Sequence, residues 1–255
     1  MPTERSMRQL ARTMNESMAA SQNILFASLP RKAYLKLLPR LSPVTLAFGD
    51  VLYEPEKPMR DVYFPCACVV SLLTIVEGHL TLEVGLVGRE GMVGIPLALG
   101  IELSPVRALV QEGGRALRMN RVRFLSALRR SPPLQRRIDG YTHALMWQIT
   151  QTAACNHFHV VKARLARRLL ITRDRVGSGE FRMTHEFLSS VLGVRRGGVT
   201  VAAATFQRQS LIEYDRGNIR ILDHRGLEAA CCSCYAAGSA AIAPWRPAQR
   251  LVRRH

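Results

Sequence analysis

The stretch from Thr184 to Phe206, THEFLSSVLGVRRGGVTVAAATF, constrains the fold more than any other part of the chain. Thr184 is a good helix N-cap, and the acidic residue two positions later suits the positive end of a helix dipole. Apolar residues then recur on one face, and Gly193 supplies the backbone freedom that a sharp turn between two helices requires. The pattern predicts two short helices that cross closely at a turn, which is a helix-turn-helix.

The second helix of this motif is predicted to begin near Arg195 or Arg196, with its apolar residues on one face. The sequence LIEYDRGNIRILD then alternates apolar and polar residues around Asp215 to Asn218, which predicts two strands and a tight turn. A basic helix beside such a wing fits the DNA major groove, with its N-terminal end toward the base edges. Two packed helices and a hairpin of an unrelated α+β domain would give a similar pattern. The turn glycine, the basic start of the second helix and the wing occur together in this order, which favours DNA binding.

Candidate contacts to double-stranded DNA follow from the exposed positions of this motif. Arg196 is the first candidate for a bidentate contact to guanine, with Arg195 and Thr200 beside it. Arg216 in the wing is predicted to contact a phosphate. The complete predicted set is His185, Arg195, Arg196, Gly197, Thr200 and Arg216.

The charge of the chain is consistent with a polyanionic partner. The sequence has 36 Lys and Arg against 19 Asp and Glu, a formal net charge of +17, and an ordinary apolar share of 47%. Charge alone does not distinguish DNA from RNA or from an anionic membrane surface. No apolar run approaches the roughly 20 residues that span a bilayer, and no signal peptide is evident. The sequence therefore predicts a cytoplasmic protein without a membrane partner.

The rest of the chain divides by pattern into an α+β arrangement. Short alternating strands between Val44 and Met119 predict a small antiparallel barrel or sandwich, and a long helical region follows from about Pro133. We predict five parts: a disordered leader (1–22), a β-barrel sensor domain (23–130), a dimerisation helix (131–156), a winged helix-turn-helix domain (157–235) and a disordered basic tail (236–255).

The long helix carries a heptad seam of about three repeats. Its positions are Leu134, Ile138, Tyr141, Leu145, Gln148 and Thr152. Spacing alone fits two arrangements equally, a helix packed on its own barrel and a helix paired with a second copy. One recognition helix reads only a half-site, so DNA geometry favours the second arrangement, a homodimer.

The order of these parts resembles the Crp/Fnr family of bacterial transcription regulators. The resemblance rests on FGDVLYEPEKPMRDVYF in the barrel, on the heptad helix and on MTHEFLSSVLGVRRGGVT, and it covers roughly residues 30–230. It implies a cyclic-nucleotide-binding-like double-stranded β-helix of the jelly-roll type, a dimerisation helix, a winged helix-turn-helix, and promoter control through contact with RNA polymerase. It also implies a base-reading arginine at Arg196. Gly197 stands where the resemblance implies a glutamate in many relatives, and Val201 where it implies a second arginine in some, so we expect a different half-site.

The sensor domain departs from the family pattern for cyclic nucleotides. Met92 stands where the resemblance implies a ribose-binding glutamate, and Ser104-Pro105-Val106 replaces the arginine-hydroxyl pair that clamps the phosphate. Arg107 is a possible displaced clamp, but an arginine within a strand is more often solvated. Burying a cyclic phosphate without a bidentate arginine leaves its charge poorly compensated. We therefore predict a degenerate effector domain that binds neither cyclic nucleotide nor any other cofactor.

The six cysteines do not form two well-spaced pairs. Resemblance to the iron-sulfur branch of the family would imply closely spaced cysteines near the N-terminus. This chain has no cysteine before Cys66. Cys66 and Cys68 alternate along a strand, and three more cysteines lie at 231, 232 and 234. Small buried or tail thiols are the favoured interpretation, with His157 and His159 as helix-start residues, so no metal is predicted.

No pattern of catalytic residues is present, and the chain is predicted not to be an enzyme. The sequence has no nucleophile elbow and no Walker phosphate loop. The predicted function is a sequence-specific, homodimeric DNA-binding regulator. Two alternatives stay open: a redox or metal sensor that uses its cysteines, and a cyclic-nucleotide-binding module with a non-DNA partner.

Overall fold

The computed structural model describes residues 22–77 and 80–242. Residues 1–21 of the predicted leader lie outside this range. The described chain has an α+β fold, as predicted, with helices at its start, two β-sheets after them, and a mainly helical C-terminal half that contains a third, small sheet.

Two short helices precede the first sheet. Helix α1 (Ile24–Ala27) and helix α2 (Arg31–Leu37) are separated by a short connection that contains Pro30, and a 3₁₀ turn follows α2. The buried Asn23 caps α1, because its Oδ1 accepts from the N–H of Phe26. Its Nδ2 donates to the carbonyls of Pro65 and Gly91 at 2.8 and 2.9 Å, which fixes α1 to the sheet region.

Seven antiparallel strands form two separate sheets in the part of the chain that is called the sensor domain below, after its predicted role. The first sheet has the order β1-β7-β3 and the second β2-β6-β4-β5. Both sheets contribute to one hydrophobic core, to which Phe64, Val70 and Leu117 belong. The predicted jelly-roll-like arrangement is therefore two sheets on a common core, and within the described residues hydrogen bonds do not close them into one barrel. The strands are β1 (Ser42–Leu46), β2 (Val51–Tyr53), β3 (Asp61–Pro65), β4 (Val69–Val76), β5 (Leu80–Val87), β6 (Arg107–Glu112) and β7 (Gly114–Asn120).

One further short helix, α3, lies within the sensor domain. From residue 121 onward the chain is mainly helical, with three short strands between its helices. A second hydrophobic core, to which Leu165, Leu188 and Phe206 belong, holds the C-terminal helices and a small sheet of order β8-β10-β9 together. The helices are α3 (Ile95–Ala98), α4 (Arg121–Arg130), α5 (Pro132–Phe158), α6 (Val161–Val176), α7 (His185–Leu192), α8 (Arg196–Arg208), α9 (His224–Ala229) and α10 (Cys234–Ile242). The strands are β8 (Glu180–Arg182), β9 (Ile212–Asp215) and β10 (Asn218–Ile221).

Helix α10 corrects the predicted tail. Disorder was predicted from residue 236, but the helix continues to Ile242, and only residues 243–255 lie outside the described range. Alanine is the best helix former, so the Ala-rich composition of this segment is compatible with a helix once a packing surface is present. Within the described residues, no helix has the length and hydropathy that crossing a membrane requires.

The predicted dimer seam of helix α5 packs against the sensor domain of its own protomer. Leu134, Ile138 and Tyr141 are buried in the sensor-domain core, and Leu145 packs against that core. The last two seam residues, Gln148 and Thr152, hydrogen-bond within the chain. Leu134, Ile138 and Tyr141 are therefore not available to a second copy. The predicted assignment of the partly exposed Leu145, Gln148 and Thr152 to a dimer interface stays a prediction. An apolar stripe shows that a helix face is covered, but not whether its own sheet or a second copy covers it.

Close packing of α5 on the sensor domain depends on Gly91. A Cβ at this position would lie 2.0 Å from the ring of Tyr141, so only glycine permits this approach. The ring therefore lies directly against the backbone of the loop that follows β5, which joins α5 firmly to the sensor domain.

Candidate nucleic-acid interface

The first helix of the predicted motif has the expected start and end. The Thr184 hydroxyl accepts a hydrogen bond from the N–H of Phe187 at 3.1 Å, which is an N-cap contact. Gly193 ends α7 with a φ of 60°. A Cβ on this glycine would lie 2.9 Å from the end of the Leu82 side chain of β5, which can move aside, so the turn requires glycine for its backbone angle.

The second helix, α8, is called the recognition helix below. Its inner face is buried through Val199, Ala202, Ala203 and Phe206, as the periodicity predicted. Its other face is exposed at four predicted contact positions, Arg195, Arg196, Gly197 and Thr200. No heavy atom lies within 4 Å of the position that a Cβ on Gly197 would occupy, so another molecule can approach the backbone there.

His185 joins the recognition helix to the wing. Its ring stacks on Tyr214 of β9 with centroids 4.3 Å apart, and its Nδ1 lies 3.1 Å from the Thr200 hydroxyl. The backbone N–H of His185 donates to the Tyr214 hydroxyl at 3.2 Å. Burial and the positive charge of Arg196 lower the pKa of His185, which favours the neutral ring. His185 therefore positions the motif. Tyr214 was missed because nothing in the alternation of a strand marks it.

The wing is the hairpin of β9 and β10, with Arg216 at its turn. Asp215 pairs with Asn218, and Arg216 and Gly217 between them have φ values of 45° and 88°. Two successive positive φ angles characterise a type I′ hairpin turn, which matches the twist of the strands. The turn leaves the Arg216 side chain exposed.

Comparison with known proteins supports the interpretation of this motif. Residues 163–230 match the family profile of the Crp-like helix-turn-helix domain. The family is one of transcription regulators and not of enzymes, which confirms the prediction that the chain is not an enzyme. No curated protein matches the chain significantly.

Solved structures show the same fold over most of the chain. A transcriptional regulator of the Crp/Fnr family from Eubacterium rectale has a TM-score of 0.63 and 15% identity, covering 81% of this chain and 96% of its own. FixK2 from Bradyrhizobium japonicum has a TM-score of 0.65 and 13% identity, covering 76% and 98%. The c-di-GMP responsive global regulator CLP of Xanthomonas campestris has a TM-score of 0.63 and 14% identity, covering 76% and 100%. The chain therefore has a Crp/Fnr-like fold.

Buried ion pairs attach the matched segment (163–230), called the Crp-like domain below, to the sensor domain. Arg168 of α6 donates to Glu83 of β5 at 2.8 Å, and Arg175 donates to Glu90 at 2.8 Å, with all four side chains less than a tenth exposed. Burial raises the pKa of Glu83, and the nearby Arg168 opposes that shift. Burial likewise lowers the pKa of Arg168. These pairs were missed because a basic residue on a helix is usually solvated.

The residues that depart from the cyclic-nucleotide pattern have partners within the chain. Met92 is fully buried in the sensor core, and the Ser104 hydroxyl donates to the carbonyl of Val106 at 2.7 Å. Arg107 pairs with Glu54 at 2.9 Å. Glu90, besides pairing with Arg175, accepts the N–H of Gly88 at 3.0 Å. Glu90 is thus held in a buried ion pair, whereas the Arg107–Glu54 pair lies at the surface.

The cysteines occupy two different environments. Cys66 and Cys68 are buried in the sensor domain, and burial raises the pKa of Cys66 to about 11 and that of Cys68 to about 12. By contrast, Cys155, His159, Cys232 and Cys234 lie together at the end of α5. His159 is the C-cap of α5 and His157 lies in its last turn, so the prediction that both are helix-start residues is wrong. This grouping is the one set of described residues with the donor atoms of a metal site.

Proposed function

We propose that the chain is a homodimeric, sequence-specific DNA-binding transcription regulator. A sensor domain (23–130), a dimerisation helix (131–156) and a winged helix-turn-helix domain (157–235) are its functional parts. The observation that carries the proposal is the recognition helix, which exposes a basic, glycine-containing face while its opposite face is buried in a Crp-like domain. That arrangement suits insertion into the major groove.

The proposed contacts divide into base-reading and phosphate-binding residues. Arg196 is the proposed reader of guanine, with Arg195 and Thr200 beside it, because all three are exposed at the N-terminal end of the helix. Gly197 lets the duplex approach the backbone. Arg216, at the tip of the wing, contacts a phosphate and so adds affinity without base preference.

Not all the basic residues of the Crp-like domain serve DNA binding. Four arginines of α6 are less than a tenth exposed and lie in or near the contact with the sensor domain. The DNA-facing charge instead comes from the recognition helix and the wing. The buried arginines are Arg164, Arg167, Arg168 and Arg175.

Dimerisation is proposed through the outer face of α5, the side directed away from the sensor sheets. Exposed residues recur on this face at alternating spacings of three and four: Arg136, Asp139, His143, Met146, Thr150 and Ala153. Met146 is 63% exposed and the adjacent Ile149 is 37% exposed, so two apolar side chains are available to a second copy. Two-fold pairing would present two recognition helices to two half-sites.

The sensor domain is proposed to have lost the cyclic-nucleotide site. The acidic group of Glu90 is used by Arg175 and by a backbone N–H, and Arg107 is used by Glu54. A cyclic phosphate would therefore compete with Glu54 for Arg107, and a ribose would compete with Arg175 for Glu90. RNA polymerase is the proposed protein partner, as the Crp/Fnr resemblance implies.

Genome-wide mapping of bound DNA in the native cell tests this function. We expect the bound regions to share an inverted repeat, and we expect the Arg195→Ala, Arg196→Ala double variant to lose most of them. Arg225→Ala, which changes an exposed arginine outside the motif, serves as the control and should keep them. Bound regions without a common sequence, or unchanged occupancy by the double variant, would contradict the proposal.

A further inference from the structure

Four side chains at the junction of α5 and α10 bring their donor atoms together. The Sγ atoms of Cys155, Cys232 and Cys234 and a ring nitrogen of His159 all lie within 4.8 Å of one another. The two Sγ atoms of Cys155 and Cys232 are 3.5 Å apart, and Cys234 Sγ is 3.7 Å from His159 Nδ1. These four residues are called the cysteine–histidine cluster below.

The fold brings the two halves of the cluster together from distant parts of the sequence. Cys155 and His159 are four residues apart at the end of α5, so they share one helix face. Cys232 and Cys234 flank a single residue at the start of α10, after the whole Crp-like domain. The spacing C-x₃-H followed much later by C-x-C is not a recognisable pair of CxxC motifs, which explains why the sequence did not reveal it.

We propose that the cysteine–histidine cluster binds one Zn²⁺ ion in a closed, four-coordinate site. Three thiolates and one imidazole are a usual ligand set for structural zinc. With Zn–S near 2.3 Å and Zn–N near 2.05 Å, a tetrahedron has S···S edges of about 3.8 Å and S···N edges of about 3.6 Å. The observed 3.5 and 3.7 Å agree with these edges.

The compactness of the cluster favours a single ion over an iron-sulfur cluster. In a [4Fe–4S] cluster each ligand binds a different iron atom, so the ligand atoms surround a cube of several atoms. Here all four donor atoms lie within 4.8 Å of one another, which leaves room for one ion at their centre. Soft thiolate donors exclude magnesium and calcium as preferred occupants, since both prefer oxygen ligands.

Two buried arginines provide the charge compensation that such a site requires. One Zn²⁺ with three thiolates carries a net charge of −1, which would be costly to bury alone. Arg164 and Arg167 are each 8% exposed and interact electrostatically with Cys155. The Nε atoms of both have no hydrogen-bond partner within the described chain. Positive charge next to ligating sulfur is the outer-sphere environment that stabilises thiolate ligands.

The zinc ion would hold the DNA-binding domain in a defined orientation. It connects the end of α5 to α10 and lies beside the short α5–α6 connection at His159 and Val160. The Tyr235 hydroxyl donates to Asp174 of α6 at 2.9 Å, so α10 also contacts the first helix of the Crp-like domain. Loss of zinc would therefore free this connection and weaken operator binding, a consequence that rests on the proposed function, whereas zinc binding itself does not.

Metal content of the full-length protein tests the site directly. Protein purified with a reductant and exposed to zinc, then dialysed, is expected to retain one Zn²⁺ per protomer. Cys155→Ser and Cys234→Ser should each bind zinc at least tenfold more weakly. Cys231→Ser, a change in the same segment but outside the cluster, and Cys68→Ser should bind it like the wild type.

Cobalt gives a readout that does not depend on variants folding well. Co²⁺ added to metal-free wild-type protein should give the visible absorption of a tetrahedral thiolate complex, and Zn²⁺ should displace it. Wild-type protein that retains no zinc and gives no such spectrum would overturn the proposal, as would equal zinc affinity in Cys155→Ser. A disulfide between Cys155 and Cys232 that persists in protein purified with reductant and exposed to zinc would also overturn it. All these outcomes are independent of DNA binding.

Discussion

Arg168 Nη2 lies 2.8 Å from Glu83 Oε2, and both side chains are buried between the Crp-like domain and the sensor sheet. The same guanidinium also donates to Gln111 of β6. A buried pair of this kind contributes little net stability, but removing one partner leaves an uncompensated charge. The contact thus makes the position of the DNA-binding domain sensitive to a single residue of the sensor domain.

Glu83→Gln should accordingly destabilise the protein. We expect the free energy of unfolding to fall by about 3 kcal/mol, because Arg168 stays buried without its counter-charge. Denaturant unfolding monitored by circular dichroism measures this. Glu213→Gln, which changes an exposed pair with Arg220 in the wing, is the control and should cost less than about 1 kcal/mol. Equal, small effects of the two substitutions would show that the buried pair does not hold the domains together.

Stability should depend on pH through His185. Its folded-state pKa is lowered, so the folded protein binds fewer protons than the unfolded chain just below the ordinary histidine pKa of about 6.5. The contribution of His185 is therefore present above that pH and is lost as pH falls through the lowered value. His185→Phe keeps the stacking surface on Tyr214 but cannot titrate. The difference in unfolding free energy between wild type and variant should change with pH below about 6.5; a constant difference would exclude the assigned protonation behaviour.

The outer face of α5 gives a prediction about assembly. Met146→Glu should place a charge in the proposed dimer interface and yield a folded monomer. Val122→Glu changes an apolar residue of similar exposure on α4 and should leave the dimer intact. Leu145→Asp, on the inner face, should destabilise the protomer itself because Leu145 packs against the sensor core. Light scattering and circular dichroism distinguish these outcomes. A Met146→Glu protein that stays dimeric would place the interface elsewhere.

Cyclic AMP and cyclic GMP should not bind at physiological concentrations. Met92 fills the core where the resemblance implies a ribose contact, and Arg107 and Glu90 are engaged in ion pairs. A ligand shifts an equilibrium only by its different affinity for the two states, so DNA affinity should not respond to either nucleotide. Calorimetric titration that gives low-micromolar affinity would disprove the loss of the site.

The sequence predicted the DNA-binding motif well because its determinants are local. The N-cap at Thr184, the positive φ at Gly193 and the hairpin turn at Gly217 each depend on residues within a few positions. The structure confirms all three. By contrast, the face of α5 could not be assigned, because Leu134 and Ile138 have the same spacing whether a sheet or a second helix covers them.

The parts that the sequence missed depend on contacts between distant residues. Arg168 and Glu83 are 85 positions apart, and Cys155 and Cys232 are 77 apart. Nothing in the local pattern of either partner indicates the other. A charged residue on a helix is by default solvated, and isolated cysteines are by default separate buried thiols, so the sequence predicted neither the buried ion pair nor the grouping of Cys155 with Cys232.

Substitution of Arg196 and substitution of Arg216 in the proposed DNA interface should change DNA binding in different ways. Arg196→Ala should lose roughly 1 to 3 kcal/mol and relax discrimination at one base pair per half-site, because a bidentate contact to guanine is removed. Arg216→Ala should weaken binding to all sequences alike and reduce the salt dependence of affinity. Binding to operators with single base substitutions at several salt concentrations measures both. Full base discrimination in Arg196→Ala would assign the reading role to another residue.

Selection of bound sequences from random duplex DNA tests the central claim most directly, since it requires no knowledge of target genes. The wild-type protein should enrich a two-fold symmetric motif whose half-site centres are about one helical turn, roughly 34 Å, apart. Arg196→Ala should select the same motif with one position of each half-site relaxed. If the wild-type protein enriches no sequence, or enriches a motif without two-fold symmetry, the account of this chain as a dimeric, sequence-specific regulator is contradicted.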